Sequence, residues 1–272
     1  MESQTGYDGL FLGLPVPIPI PDAPTVTLDY VHFTVLLRPD RRLAAVTAVN
    51  VHGGLLVEID RVRDKWILDQ RVPAAQQAGP ALYADNDFDR GHLVRRRDPG
   101  WGTTTVAKAA NNDTFHYTNA APQAARLNQS PELWAGLEDY LLEHAATYDE
   151  RLCVFTGPVL EPADPVYRGV RIPLRFYKIA AWLQRGKIAA TGYILDQIEL
   201  VQPILSAALR DDGEPLGAFK TFQVPVQDIA TLTGLSMPTL VVADVFAPVA
   251  AGVSPGERNW KLLHAAADSR LR

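Results

Sequence analysis

Apolar residues along this chain fall into short continuous runs separated by turn residues, a pattern typical of buried strands. Residues 30–37 (YVHFTVLL) and 43–51 (LAAVTAVNV) predict two strands, joined by a turn at RPD (38–40). The second strand is expected to end at GG (53–54). Residues 60–90 are polar and lack periodicity, which favours a loop that carries function.

The strongest helix signal begins at Ser130, which offers an N-cap acceptor, followed by Pro131 at the first helical position. Leu133, Leu137 and Leu141 then recur every four residues and form one apolar face. The pattern predicts a helix that continues to about residue 148.

Further strands are predicted after this helix. RLCVFTGPV (151–159) is typical of a buried strand, and two longer runs at 175–184 and 187–195 flank a turn at RG (185–186). A short helix is predicted around 226–232. This order of strands, a helix and more strands indicates one α+β domain with a mixed or antiparallel central sheet.

The first residues form a segment of different composition. PVPIPIPDAP (15–24) is rich in proline and predicts an extended arm. We therefore expect an N-terminal arm over 1–29 and a single domain over 30–272, because no later change of composition marks a boundary.

Charge and composition are those of an ordinary globular protein with one basic stretch. The chain has 272 residues, 47% apolar, and a net charge of −5, which disfavours proteins that coat nucleic acid non-specifically. Residues 61–97 nevertheless carry eight Lys or Arg against five Asp, which is compatible with a local basic cleft. The single cysteine, Cys153, excludes an internal disulfide and a thiolate metal cluster.

Targeting signals are not visible in the sequence. The N-terminal MESQTGYDGLFLG lacks a basic region and a long apolar stretch, and no run of about 18 apolar residues indicates a membrane span. A cytoplasmic location without membrane contact is the default expectation, and export by another route stays open.

The tetrapeptide DRGH (89–92) suggests chemistry on a phosphate. Neutral histidine, with an unperturbed pKa of about 6.5, is suited to act as a general base, although a lone histidine is more often structural. Arg90 could bind a phosphate through two hydrogen bonds, and Gly91 permits an unusual backbone angle or a close approach of substrate. Asp89 or a nearby carbonyl could orient the ring of His92. Downstream, Asn119 and Asn128 carry amide oxygens that suit a hard cation such as Mg²⁺, although asparagines are more often turn or cap residues.

Together these stretches resemble the DNA/RNA non-specific endonucleases of the ββα-metal, or His-Me finger, superfamily, which includes endonuclease G. The resemblance rests on FDRGHLVRR (88–96), DTFHYTNAAPQAARLNQ (113–129) and WAGLEDYLL (134–142), and it spans about residues 7–195. It implies a ββα-metal motif within the α+β domain. It also implies a Mg²⁺-dependent nuclease of DNA and RNA, with Mn²⁺ as an alternative ion, little sequence preference and 5′-phosphate products.

Roles follow by position from this resemblance. His92 resembles the general base, Arg90 the phosphate-binding arginine, and Asn119 the amide that keeps the site in register. Asn128 resembles the direct metal ligand, and Glu138 the glutamate that holds metal-bound water.

Substrate contacts are implied less directly. An upstream arginine of the family fits Arg63 or Arg61, and Arg95 is a further candidate for substrate binding. The spacing from Asn128 to Trp134 is about two residues longer than the family's, so the position of Glu138 depends on the helix start at Pro131.

Three matters stay open on the sequence alone. The chain could be a catalytically weak nucleic-acid-binding module, or a phosphodiesterase of small substrates. Its oligomeric state, including a homodimer, is also undetermined.

Overall fold

The computed structural model describes residues 5–60, 65–125, 142–143, 147, 150–207, 220–246, 260–263 and 268–269. An antiparallel sheet of eight strands dominates this part of the chain, in the order β1-β2-β3-β6-β9-β10-β11-β12. Its strands are β1 (Val26–Tyr30), β2 (Phe33–Arg38), β3 (Leu43–His52), β6 (Arg151–Pro158), β9 (Arg175–Gln184), β10 (Lys187–Asp196), β11 (Lys220–Val224) and β12 (Lys261–Leu263).

Two short strand pairs lie outside this sheet. They are β4 (Phe88–His92) with β5 (Ala120–Ala124), and β7 (Val166–Tyr167) with β8 (Val170–Arg171). The described helices are α1 (Pro80–Tyr83), α2 (Thr104–Asp113), α3 (Ile198–Ala207), α4 (Val226–Thr233) and α5 (Pro238–Val242). The predicted α+β class with an antiparallel central sheet is therefore confirmed.

Most predicted strands are confirmed within a residue or two. The segments 43–51, 151–159, 175–184 and 187–195 correspond to β3, β6, β9 and β10. Arg185 and Gly186 form the expected turn with φ values of 52° and 76°, the left-handed geometry of a tight hairpin. The short helix expected at 226–232 is α4.

The strand predicted over 30–37 is confirmed for 33–37, which belong to β2, but its start is wrong. The chain instead makes a hairpin of β1 and β2 that turns at Val31 and His32, where His32 takes a left-handed φ of 66°. The helix predicted from Ser130 to about residue 148 lies largely outside the described residues.

Hydrophobic side chains pack against both faces of the sheet. On one face the core includes Val72, Leu82, Phe88, Leu93 and Val94, which come from the segment that contains β4. This packing fixes the DRGH segment against the sheet.

The opposite face of the sheet is covered by the N-terminal segment together with α4 and α5. Phe11 and Val16 of the N-terminal segment are buried there beside Ile229 and Leu240. The proline-rich segment expected as an arm thus contributes buried side chains to the core.

Candidate active site

Strand β4 presents Arg90 and His92 side by side. They are two positions apart, and side chains alternate between the two faces of a strand, so both leave β4 on the same face. Asp89 and Gly91 face the other way. The carboxylate of Asp89 therefore leaves the strand on the face opposite the imidazole that it was expected to orient.

The position of β4 is fixed by its pairing with β5. His92 lies opposite Ala120, and Gly91 lies opposite Ala121. The buried amide of Gln197 holds β5 in turn, since it accepts a hydrogen bond from Ala124 N at 3.0 Å and donates one to Pro122 O at 3.2 Å. The strand that carries His92 is thus tied to the end of β10.

Asn119 joins the two sides of the site. Its fully buried side chain accepts from Val94 N at 2.9 Å and donates to Val94 O and Thr114 O, each at 2.9 Å. Its backbone carbonyl accepts from Leu93 N at 2.9 Å. These hydrogen bonds fix the two residues that follow His92.

Aromatic rings surround His92 on its face of β4. The ring centroid of Trp66 lies 4.7 Å from that of His92, and Phe115 approaches His92 edge-on at 4.9 Å. Trp66 also contacts Tyr117 at 5.8 Å. The imidazole is therefore half-buried within an apolar wall, with little freedom to change its orientation.

Trp66 is held by the segment that follows it. Ile67 N donates to Phe115 O at 3.0 Å, and Tyr117 N donates to Ile67 O at 2.9 Å. These two bonds attach the loop that carries Trp66 to the segment that precedes Asn119.

A buried carboxylate network secures the same loop. The Tyr30 hydroxyl donates to Asp69 Oδ2 at 2.5 Å and shares a hydrogen bond with Thr118 at 2.7 Å, while Arg71 Nη2 lies 2.6 Å from Asp69 Oδ2. Burial alone would raise the pKa of Asp69, but the hydrogen bonds from Arg71 and Tyr30 outweigh it and lower this pKa to about 2. The carboxylate therefore stays charged and links both segments that border His92.

Arg90 presents an exposed guanidinium next to Trp66. Its side chain is exposed, and its guanidinium carbon lies 5.8 Å from the centroid of the Trp66 ring. Among the described residues no carboxylate forms an ion pair with Arg90, so the alternative of a surface salt bridge with Asp87 or Asp89 is not what the structure shows. A positive charge thus stands two residues from His92 on the same face.

Arg95 is arranged differently from Arg90. Its Nε donates to Asp98 Oδ1 at 3.2 Å, and only 15% of its side chain is exposed. The next two arginines border a pocket of about 240 Å³, lined by Val57, Glu58, Ile59, Asp60, Arg96, Arg97 and Asn111.

Four expected site residues lie outside the described residues: Arg61, Arg63, Asn128 and Glu138. Within the described part of the chain, no group of three or more His, Cys, Asp or Glu side chains could hold a metal ion. The described helices include none that is long and apolar enough to cross a membrane.

Sequence reasoning missed Trp66, Phe115 and Tyr117, the aromatic residues around His92. Their only common signal is aromatic character, which does not distinguish a site from a core. They meet because the loop at 65–68 pairs with the segment at 115–117, a contact that no motif predicts.

Comparison with a family model gives a match over residues 16–244 to the family described as DNA/RNA non-specific endonuclease. Among curated proteins, the chain is similar to "Uncharacterized protein y4fB" of Sinorhizobium fredii, with 36% identity over 257 residues, 86% of this chain and 39% of that protein.

Two further relatives are mitochondrial Endonuclease G proteins. The one from Bos taurus is 31% identical over 61% of this chain and 53% of its own length. The one from Homo sapiens is 30% identical over 61% of this chain and 54% of its own length. The chain thus spans about half the length of these two relatives, or less for the bacterial one.

A solved structure shares the fold. The chain matches the crystal structure of the EndoG/EndoGI complex with a TM-score of 0.62 and 17% sequence identity, covering 84% of this chain and 89% of that chain. At this identity the likeness is one of fold.

Proposed function

This chain belongs to the family of DNA/RNA non-specific endonucleases, and from that premise we propose that it hydrolyses phosphodiester bonds in DNA and RNA with little sequence preference. The single observation that carries the proposal is the pairing of Arg90 and His92 on one face of β4. A guanidinium without a carboxylate partner among the described residues and an enclosed imidazole supply the two groups that this hydrolysis needs.

In the proposed reaction His92 is the general base. It takes a proton from a water molecule whose oxygen attacks phosphorus, and the bond between phosphorus and the 3′-oxygen breaks. The 3′-oxygen leaves with the bonding electrons and takes up a proton from solvent. The products carry a 5′-phosphate and a 3′-hydroxyl.

Arg90 binds the phosphate that is attacked. Its planar guanidinium can donate two parallel hydrogen bonds to the non-bridging oxygens and offset the charge that develops on them. Contacts of this kind recognise the backbone rather than the edges of the bases, so they account for low sequence preference. Arg61 and Arg63 are further candidates for such contacts.

Mg²⁺ is the proposed metal, with Asn128 as its direct ligand and Glu138 as the holder of metal-bound water. The donor set fits a hard cation, because amide and carboxylate oxygens suit Mg²⁺ and the described residues contain no thiolate or histidine cluster. When bound, the ion would supply Lewis-acid stabilisation of negative charge on the phosphate; Mn²⁺ is the alternative.

Incubation with supercoiled plasmid and with single-stranded RNA tests the function. We expect nicking of the plasmid and fragmentation of the RNA in Mg²⁺, and neither in EDTA. The new 5′ ends should accept label from polynucleotide kinase only after phosphatase treatment.

Three outcomes contradict the proposal. Cleavage that is unaffected by EDTA argues against the metal. Binding of nucleic acid without cleavage favours the binding module, and turnover of bis(p-nitrophenyl) phosphate with intact polymers favours a small-substrate phosphodiesterase.

A further inference from the structure

Tyr83 carries a donor for which the described residues provide no acceptor. Its hydroxyl oxygen is buried and has no hydrogen-bond partner among them. A buried polar group without a partner costs folding free energy, and buried polar groups in native proteins are nearly always paired. We therefore expect the Tyr83 hydroxyl to form its hydrogen bond in another state of the protein, such as a complex with a ligand.

Tyr83 lies beside the candidate active site. Its ring stacks on Tyr117 with centroids 6.0 Å apart, and Tyr117 in turn contacts Trp66, which lies against both His92 and Arg90. Burial raises the pKa of Tyr83 far above its usual value, and the nearby charge of Arg90 opposes that rise only in part. The hydroxyl therefore keeps its proton and can donate a hydrogen bond to an anion.

The backbone around Tyr83 is anchored from the neighbouring hairpin. Arg168, between β7 and β8, donates through Nη1 to Ala81 O at 3.0 Å and to Ala84 O. These carbonyls lie on either side of Tyr83, at the end of α1. The backbone that carries Tyr83 is therefore held in place, so a ligand that reaches the hydroxyl orders little further chain, which lowers the entropic cost of binding.

Arg90 identifies the class of ligand. Two donors without acceptors, one of them cationic, disfavour a cation and favour an anion with several oxygens. We propose that Tyr83 is a substrate-binding residue, which donates its hydroxyl hydrogen to an oxygen of the backbone phosphate bound by Arg90. This inference rests on the proposed nuclease function. It adds a contact between the protein and the nucleic-acid backbone that no family motif assigns.

Tyr83→Phe tests the inference because it removes only the hydroxyl. The unfolding midpoint should stay unchanged or rise, since no hydrogen bond within the described residues is lost. The value of kcat/KM on an oligonucleotide should fall about tenfold or more, as expected when a hydrogen bond to a charged group is removed.

Tyr177→Phe is the matched control. The Tyr177 hydroxyl is buried and donates to Ala45 O at 2.8 Å, away from β4. Its removal should lower the unfolding midpoint and leave kcat/KM of the folded enzyme unchanged, the reverse of the result expected for Tyr83→Phe.

Two outcomes overturn the inference. Unchanged kcat/KM in Tyr83→Phe shows that the hydroxyl does not touch substrate. A fall in activity matched by a fall in unfolding midpoint shows that its role is structural.

Binding separates this inference from the proposed function. Fluorescence anisotropy of a labelled oligonucleotide in EDTA should show weaker binding by Tyr83→Phe than by the wild type, even if neither cleaves. Absent cleavage by the wild type would therefore contradict the nuclease function, whereas equal binding by both proteins would contradict the role of Tyr83.

Discussion

Gly91 lies directly against the side chain of Gln123, on the face of β4 opposite His92. A Cβ atom at Gly91 would stand 2.2 Å from both Cδ and Oε1 of Gln123. Gly91 is absent from the positions with positive φ, so its backbone is not the reason for glycine here. The close approach that glycine permits is made by a buried side chain of the protein rather than by substrate.

Gly91→Ala should therefore destabilise the protein by about 1–3 kcal/mol, the usual cost of forcing extra volume into a packed interior. Urea unfolding measures the change. Gly9→Ala is the control, because a Cβ there would meet only Val16 O at 3.5 Å.

The double variant Gly91→Ala with Gln123→Ala identifies the cause. If Gln123 is the obstacle, the double variant should lose less stability than the two single variants together. Additive losses would show that the cost arises elsewhere.

The stability of the protein should depend on the side-chain amide nitrogen of Asn119. Asn119→Asp keeps the size of the side chain but replaces the amide that donates to Val94 O and Thr114 O. We expect a loss of about 1–3 kcal/mol or more, because a buried carboxylate would face two carbonyl oxygens. A variant as stable and as active as the wild type would contradict the role of Asn119 in holding the residues after His92.

Arg90 should contribute a salt-dependent part of nucleic-acid binding. Arg90→Ala is expected to lower affinity for an oligonucleotide in EDTA and to reduce the slope of log K against log salt by about 1. Arg185→Ala removes the same charge from an exposed turn far along the sheet and should change neither quantity. Equal effects of the two variants would show that Arg90 contributes to binding only as a general surface charge.

Asp69 should make the stability depend on pH in the acid range. Its pKa is about 2 in the folded protein against an ordinary 3.8, so its ionic contacts stabilise the fold above 3.8 and are lost as the pH falls toward 2. Asp69→Asn should be less stable than the wild type at neutral pH, and this difference in stability should vanish near pH 2. Urea unfolding across this range checks it, and a difference that stays constant with pH would contradict the assignment.

The sequence predicted the strands whose apolar runs end at clear turn residues, such as β9 and β10 around Arg185 and Gly186. It did not predict the hairpin of β1 and β2, because residues 30–37 contain no Gly, Pro, Asn or Asp to mark a turn. His32 makes the turn with a left-handed backbone that is uncommon for a residue other than glycine. The ring of His32 stacks on that of Trp101, with the two centroids 3.5 Å apart. This conformation is therefore explained by a tertiary contact and not by the local sequence.

Helix α2 was also missed. Its buried apolar residues, Ala107 and Ala110, are too small to give a strong periodic signal. Its start is marked by Thr103, whose side chain accepts from Val106 N, but one threonine of the three in TTT (103–105) does not stand out.

At the candidate site, sequence motifs identify residues that lie within them. They do not identify residues that approach the site only after the chain has folded. The motif DRGH indicates Arg90 and His92, and the family resemblance indicates Asn119. Trp66 reaches His92 only because Ile67 pairs with the segment near His116, and Tyr83 is recognisable only by a hydroxyl that lacks an acceptor among the described residues.

The most direct test of the nuclease assignment is the cleavage of supercoiled plasmid in Mg²⁺ by His92→Ala, with its unfolding midpoint measured alongside. The imidazole is half-buried at the rim of the aromatic wall, so its truncation should leave the protein folded. We predict that this variant unfolds cooperatively close to the wild-type midpoint and leaves the plasmid intact. If the folded His92→Ala variant cleaved the plasmid as fast as the wild type, the role of His92 as the general base would be contradicted.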